Sequence, residues 1–158
     1  MDRASLDISS LIPHRGAMCL LDGIEAWDET HIVCRATSHH RPDHPLRDDS
    51  GLRALCGIEY GAQAIAAHAA LLGGLSAHSL SSGVLASARD VTTTRSHLDD
   101  LAGPLTIRAM LILTHEQGSI YDVSIMCDGR TVVRGRLSVM ISIGSAQADR
   151  RLSAEEPA

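Results

Sequence analysis

A chain of 158 residues, 44% apolar and 21% charged, is expected to form one soluble globular domain with enough material for a buried core. A net charge of −5 excludes nucleic acid as a partner, since no basic stripe could neutralise phosphates; the one dense basic spot, "DRR" at 149–151, falls in a tail. The opening "MDRASLDISSLI" has no apolar core flanked by basic residues, and the longest weakly polar run, Ala62 to Leu75, is too short for a bilayer and contains His68, so a cytoplasmic protein without a membrane span is expected.

The four cysteines, Cys19, Cys34, Cys56 and Cys127, are scattered with no CxxC pair, and read as reduced core residues rather than disulfide partners or zinc ligands. Phe is absent, and Trp27, Tyr60 and Tyr121 are the aromatic residues. The core must therefore be packed from Leu, Ile, Val, Ala and Met, and nothing offers a base-stacking platform.

In chain order, residues 1–12 read as a lead-in with a short helical turn. "IPHRGAMCLLDGIEAWDET" follows with a Pro-His-Arg-Gly turn, an apolar segment and a strand-like continuation. "HIVCRATS" alternates as a strand does, placing Ile32, Cys34 and Ala36 on one side. "HHRPDHPLRDDSGLRA", residues 39–54, is polar, holds two prolines and a glycine, and reads as loop. The run from Cys56 to Leu75 is rich in Ala and Leu, lacks proline and meets Gly73-Gly74, so it is predicted to be a helix over about 56–72.

Beyond the helix, "GVLASARDVTT", "GPLTIRAMLILTHE", "SIYDVSIMCD" and "RTVVRGRLSVMISI" are β-rich and separated by turn signals such as "EQGS" and "CDGR". They are predicted to form a four-strand antiparallel meander. Residues 144–158 are nearly devoid of apolar side chains and are expected to be a disordered tail, leaving 1–143 as the domain. A half-buried sheet and a helix apolar nearly all round have one joint solution, an α+β domain in which an antiparallel sheet of about five to six strands wraps a long central helix. Leu55, Ile58, Ala62, Ile65, Ala66, Ala69 and Leu72 are expected to meet the sheet, with Ala64, Ala67 and Ala70 allowing close approach on other sides. Open sheet edges predict pairing with a second subunit.

Glu59 is the only acidic residue between Ser50 and Ser87, and it stands at the mouth of that helix. At ~100° per residue, Gln63 lies ~40° round the helix and one turn on, able to orient the carboxylate, whereas His68 faces away at ~180°. Taken alone, Glu59 is equally readable as a first-turn acid that the helix dipole favours by ~0.3–1 kcal/mol. His44, in the proline-containing loop before the helix, supplies a second group suited to proton transfer, although a solvated loop histidine is the plain alternative. Three loop histidines, His39, His40 and His44, lack the scaffold and fourth ligand of a metal site, so neither metal nor other cofactor is expected. Ser82 and Ser87 lie outside any GxSxG elbow, which argues against a serine hydrolase.

"PHRGAMCLLD", "HPLRDD" and "GIEYGAQA" together resemble the hot-dog β-hydroxyacyl-carrier-protein dehydratases of fatty-acid synthesis, over roughly residues 8–143. The likeness is greatest to the branch associated with aryl-polyene pigment clusters. The resemblance implies a hot-dog fold, with His44 at the position of the catalytic histidine, Glu59 at that of the helix acid and Gln63 at that of the glutamine a turn later. It implies syn elimination of water from a 3-hydroxyacyl thioester on the 4′-phosphopantetheine arm of an acyl carrier protein. His44 would act at C2 and Glu59 at the C3 hydroxyl, with the backbone N–H groups near Leu55, Cys56 and Gly57 steadying the enolate. Because the histidine and acid of one such site come from different subunits, a homodimer or a heterodimer with a paralogous hot-dog subunit is expected.

Some positions depart from the family pattern. Pro45, Leu46 and Arg47 stand where the family has Phe-Pro-Gly, Arg53-Ala54 where it has Pro-Gly, and Gly61 where it has Met. His14 and Arg15 match the family turn and are expected to be structural, with Arg15 pairing to Asp22. A hot-dog thioesterase, and a non-catalytic acyl-binding subunit that completes a partner's site, are the alternatives to a dehydratase.

Overall fold

Residues 6–74 and 83–141 are described in the computed structural model of the chain. The expected tail at 144–158, the basic spot within it and Ser82 lie outside the described residues. Strand β1 (Gly23–Trp27) turns into β2 (His31–Ala36), and a polar stretch then leads through a 3-10 turn (Ala54–Cys56) into helix α1 (Gly57–Gly73). Strands β3 (Gly83–Thr93), β4 (Leu105–His115), β5 (Gly118–Cys127) and β6 (Arg130–Ile141) follow. All six join one sheet in the order β1-β2-β4-β5-β6-β3, with every pairing antiparallel. This is the hot-dog fold, a sheet wrapped around one long helix.

The sheet has the alternation of a surface wet on one side. Ile32, Cys34 and Ala36 of β2 are fully buried, as are Leu105, Ile107 and Ala109 of β4. Tyr121, Val123, Ile125 and Cys127 of β5 continue that inner face, while Arg108, Arg134 and Arg136 point the other way and are exposed. Asp128 and Gly129, both at positive φ (50° and 73°), close the β5–β6 hairpin in the two-residue turn that "CDGR" signals. Gly74 ends α1 in the left-handed conformation (φ 61°), where a Cβ would be strained.

Two expectations need correction. Only β4, β5 and β6 form a meander; β3 pairs with β6 on its far side rather than with β4. The segment between β3 and β4 docks on the loop before the helix, where Ala54 N–H donates to Ser96 O and Leu98 N–H to Leu52 O (both 2.8 Å), and so carries the chain from the sheet edge back to its middle. Strand propensity reads each segment but not which neighbour it takes.

The helix also presents a different face from the one expected. Gly57, Gly61, Ala64, Ala67 and Ala70 are buried, and of the seven residues assigned to the sheet only Ile65 is. Leu55 and Leu72 are 61% and 42% exposed, while Ile58, Ala62, Ala66 and Ala69 are half-buried. A sheet curling tightly around a helix needs small side chains at closest approach. A Cβ on Gly57 would lie 3.0 Å from Val133 Cγ2, and one on Gly61 2.5 Å from Val123 Cγ1. The larger apolar residues are thereby left on an open face, and Glu59 stands among them.

Candidate active site

Glu59 occupies the third position of α1, whose N-terminus no side chain caps. Its carboxylate is 29% exposed and half-enclosed by two donors from its own chain. Gln63 Nε2 donates to Oε1 at 3.2 Å, the one-turn contact expected from the spacing, and His14 Nε2 meets the same oxygen at 3.0 Å. Gln63 is itself fully buried and held at both ends of its amide, accepting Leu20 N–H (3.0 Å) and donating to Met18 O (2.7 Å). The hydrogen bond from His14 holds the Glu59 carboxyl below its ordinary value, and this outweighs desolvation, which acts in the opposite sense. Glu59 therefore rests as a carboxylate.

His44 lies in the same part of the fold but takes different partners. It is 3% exposed, and its Nε2 contacts Tyr60 Oη at 3.0 Å. Tyr60 Oη is 2.7 Å from Ser38 Oγ, which reaches Leu20 O at 2.7 Å. The carbonyl can only accept, so Ser38 donates to it, Tyr60 donates to Ser38, and His44 donates Nε2–H to Tyr60. Burial pushes the Tyr60 phenol up to about 12, which keeps that proton in place. The other nitrogen, Nδ1, accepts Leu46 N–H at 3.1 Å. Pro45 directly after the histidine leaves residue 46 with the N–H that makes this contact. His44 is thus neutral with both ring nitrogens engaged, and burial, aided by Arg41 and Arg47, lowers its pKa.

Within one chain, then, Glu59 is brought to Gln63 and His14, and His44 to Tyr60 and Leu46. Segment 18–20 ties the two groups together, since Met18 O and Leu20 N–H hold Gln63 while Leu20 O ends the chain of bonds from His44. Of the three backbone donors expected near the helix mouth, Cys56 and Gly57 turn their N–H groups onto Arg53 O and Ala54 O, closing the 3-10 turn. The N–H of Leu55 takes part in neither bond.

His14 is the site residue that sequence reasoning missed. Its one signal in the sequence is membership of the "PHRG" turn, which suggests a structural role, because nothing in a separation of 45 positions announces a contact with Glu59. Arg15 does not pair with Asp22. Its Nη1 instead spans the carbonyls of Ser9, Ile12 and His14 (3.0, 2.8 and 3.0 Å), pinning the turn that carries His14. Asp22 accepts from Thr37 Oγ1 at 2.7 Å.

His68, His39 and His40 serve the framework. His68 is fully buried between Tyr121 Oη (2.9 Å) and Asp28 O (2.7 Å), away from Glu59 as the helix periodicity predicts. His39 and His40 both turn Nε2 to Leu101 O, at 3.2 and 2.7 Å. Among the described residues no three His, Cys, Asp or Glu side chains gather as a metal site would require. The four thiols are unpaired, and burial pushes Cys34 up to about 12.

These buried histidines set a pH dependence. Burial lowers the pKa of His39, His44 and His68, so between those values and the unfolded value of about 6.5 the unfolded chain binds more protons. Their neutral forms are at full effect above about pH 6.5, and stability falls as pH drops below it. Urea midpoints should accordingly decrease from pH 7.5 to pH 5.5, before the carboxylates begin to titrate. A flat midpoint over that window would contradict the buried neutral histidines.

The match to known proteins agrees with the fold. The family model described as ApeP-like, ApeP dehydratase, matches residues 6–148. The chain belongs to the ApeP-like family. Comparison with curated proteins finds no match. Among solved structures, the dehydratase heterocomplex ApeI:P from Xenorhabdus doucetiae superposes with a TM-score of 0.77 at 23% identity, covering 92% of this chain and 97% of that one. AziG from S. sahachiroi gives 0.58 at 18% identity over 78% and 91% of the two chains. The PaaI protein of the E. coli phenylacetic acid degradation operon gives 0.54 at 18% over 74% and 80%. At these identities the likeness is one of fold, and the ApeP-like assignment rests on the family match. Among the described residues, no helix of this family member is long and apolar enough to cross a membrane.

Proposed function

We propose that this chain dehydrates a 3-hydroxyacyl thioester, carried on the 4′-phosphopantetheine arm of an acyl carrier protein in the cytoplasm, to the trans-2-enoyl thioester. The observation that carries the reading is Glu59, a carboxylate held by Gln63 at the mouth of the central helix, on a face whose other members are apolar and half-open. That face and the strand β3, which lies at the edge of the sheet among the described residues, support assembly with a second hot-dog subunit. The subunit is a second copy or a paralogue, and the ApeI:P structure is itself a heterocomplex.

In this reading the Glu59 carboxylate accepts a hydrogen bond from the C3 hydroxyl and orients it, while His44 removes the proton at C2 and passes it to the departing C3 oxygen, so that water leaves as the C2–C3 double bond forms; Leu55 N–H is the backbone donor to the developing enolate. His44 needs a free lone pair for that step. Substrate binding must therefore release Leu46 N–H from Nδ1, which either frees that lone pair or lets the ring proton move there from Nε2.

Two observations favour other outcomes. An ionised Glu59 suits activation of water against the thioester carbonyl, the thioesterase reading. A His44 with both nitrogens engaged suits a subunit that binds the acyl chain and completes a partner's site without catalysing by itself. One experiment separates the three. Purified protein, alone and with a co-expressed paralogous subunit, is incubated with 3-hydroxyacyl carrier protein and followed by intact mass. Loss of one water is the expected result. Release of the free carrier protein would replace dehydration with hydrolysis, and turnover that survives Glu59→Gln in the presence of the paralogue would assign the chain a supporting role.

A further inference from the structure

Resting on that assignment of Glu59, we propose that His14 is a positioning residue: its ring and the Gln63 amide together hold one oxygen of the Glu59 carboxylate and leave the other to face the acyl chain. Both donors converge on Oε1, and both are themselves fixed. Gln63 cannot flip, because its carbonyl end accepts Leu20 N–H at 3.0 Å. Its two N–H bonds are therefore directed at Met18 O and Glu59. A carboxylate oxygen can only accept, so the His14 nitrogen that meets it carries a hydrogen.

The His14 ring is anchored through its backbone, where Arg15 Nη1 ties the carbonyls of Ser9, Ile12 and His14 together. Its other nitrogen, Nδ1, is buried and meets no hydrogen-bond partner among the described residues. A ring whose free nitrogen is closed off from solvent offers a substrate nothing directly. It acts through Glu59, and that separates positioning from catalysis.

The arrangement has a chemical consequence. Two N–H donors on one oxygen favour the charged form and fix the carboxylate plane. Glu59 then enters the reaction as a hydrogen-bond acceptor at Oε2, oriented before the substrate arrives. Without His14, Gln63 alone would hold Oε1, at the longer of the two distances. The carboxylate would be less well oriented and easier to protonate.

The test compares full-length wild type, His14→Ala and His14→Gln. The Glu59 carboxyl is titrated by ¹³C NMR, assigned by its loss in Glu59→Gln, and the dehydration rate is measured against pH. In His14→Ala the Glu59 midpoint should move to higher pH, and the acid limb of the rate profile should move with it. kcat should fall by roughly 10²-fold while KM changes little, the size of effect expected of a misplaced reacting group. In His14→Gln the new amide can donate to the same oxygen and should restore part of both. An unchanged Glu59 midpoint in folded His14→Ala overturns the proposal, as does a rate loss with no shift of the acid limb. If His14→Ala does not fold, His14→Gln and His14→Leu decide on the same two readouts. Should the wild type not dehydrate at all, the functional reading fails, while the NMR titration still tests whether His14 holds Glu59.

Discussion

Glu59→Gln should lower the dehydration rate of the assembled enzyme by about 10²–10⁴-fold, the usual loss when a proton-transfer site loses one of its partners. The substitution keeps the shape of the side chain and both neighbours, Gln63 and His14, but with the amide oxygen held by those two donors an NH2 stands at the Oε2 position and cannot accept from the substrate. Stability should change little, because the side chain is partly exposed. His44→Ala is expected to lose activity on the same scale. If both groups act in one step, the double variant should lose far less than the product of the single losses. The single variants must be compared at matched assembly state, verified by light scattering. Full activity in folded His44→Ala would remove the loop histidine from the mechanism and leave Glu59 as the reacting group, consistent with the closed hydrogen-bond pattern around His44.

Tyr60→Phe should destabilise the fold by about 1–3 kcal/mol, the penalty for leaving a buried donor unsatisfied. The phenol is fully buried and bridges His44 Nε2–H and Ser38 Oγ, so its removal strands the histidine N–H in an apolar setting. Tyr60→Ala should cost more, about 3–5 kcal/mol in the range of large aromatic truncations, because a cavity is added to the lost bond. Urea denaturation of the two variants checks both values. Replacing His44 as well as Tyr60 by apolar residues should recover part of the Tyr60→Phe loss, since the stranded donor is then gone. Equal stability of wild type and Tyr60→Phe would mean that the ring of His44 finds another acceptor.

The local elements and the pairing of Glu59 with Gln63 are legible in consecutive residues. Alternation at Ile32, Cys34 and Ala36 is a property of consecutive residues, and so is the turn at Asp128-Gly129. A one-turn contact follows from helix geometry wherever the helix runs, which is why Glu59 meets Gln63 and why His68 lies elsewhere. The wrapped sheet was legible too, since an all-round apolar helix beside a one-faced sheet has few other ways to bury its surface.

Which helix face meets the sheet depends on packing between distant segments. Curvature favours small side chains at closest approach, so Gly57 and Gly61 lie against Val133 and Val123 while Leu55 stays exposed. Hydrophobicity alone ranks those residues the other way. The placement of β3 beside β6 was likewise beyond a local signal, because strand order depends on where the connecting segment docks. The same holds for the chemistry of the site. His14 reaches Glu59 from 45 positions away, and the state of His44 follows from a backbone N–H at Leu46 and a phenol at Tyr60. Residue types announce that a carboxylate and an imidazole are present; which nitrogen is free, and which oxygen is held, depends on groups that only folding brings within 3 Å or so of one another.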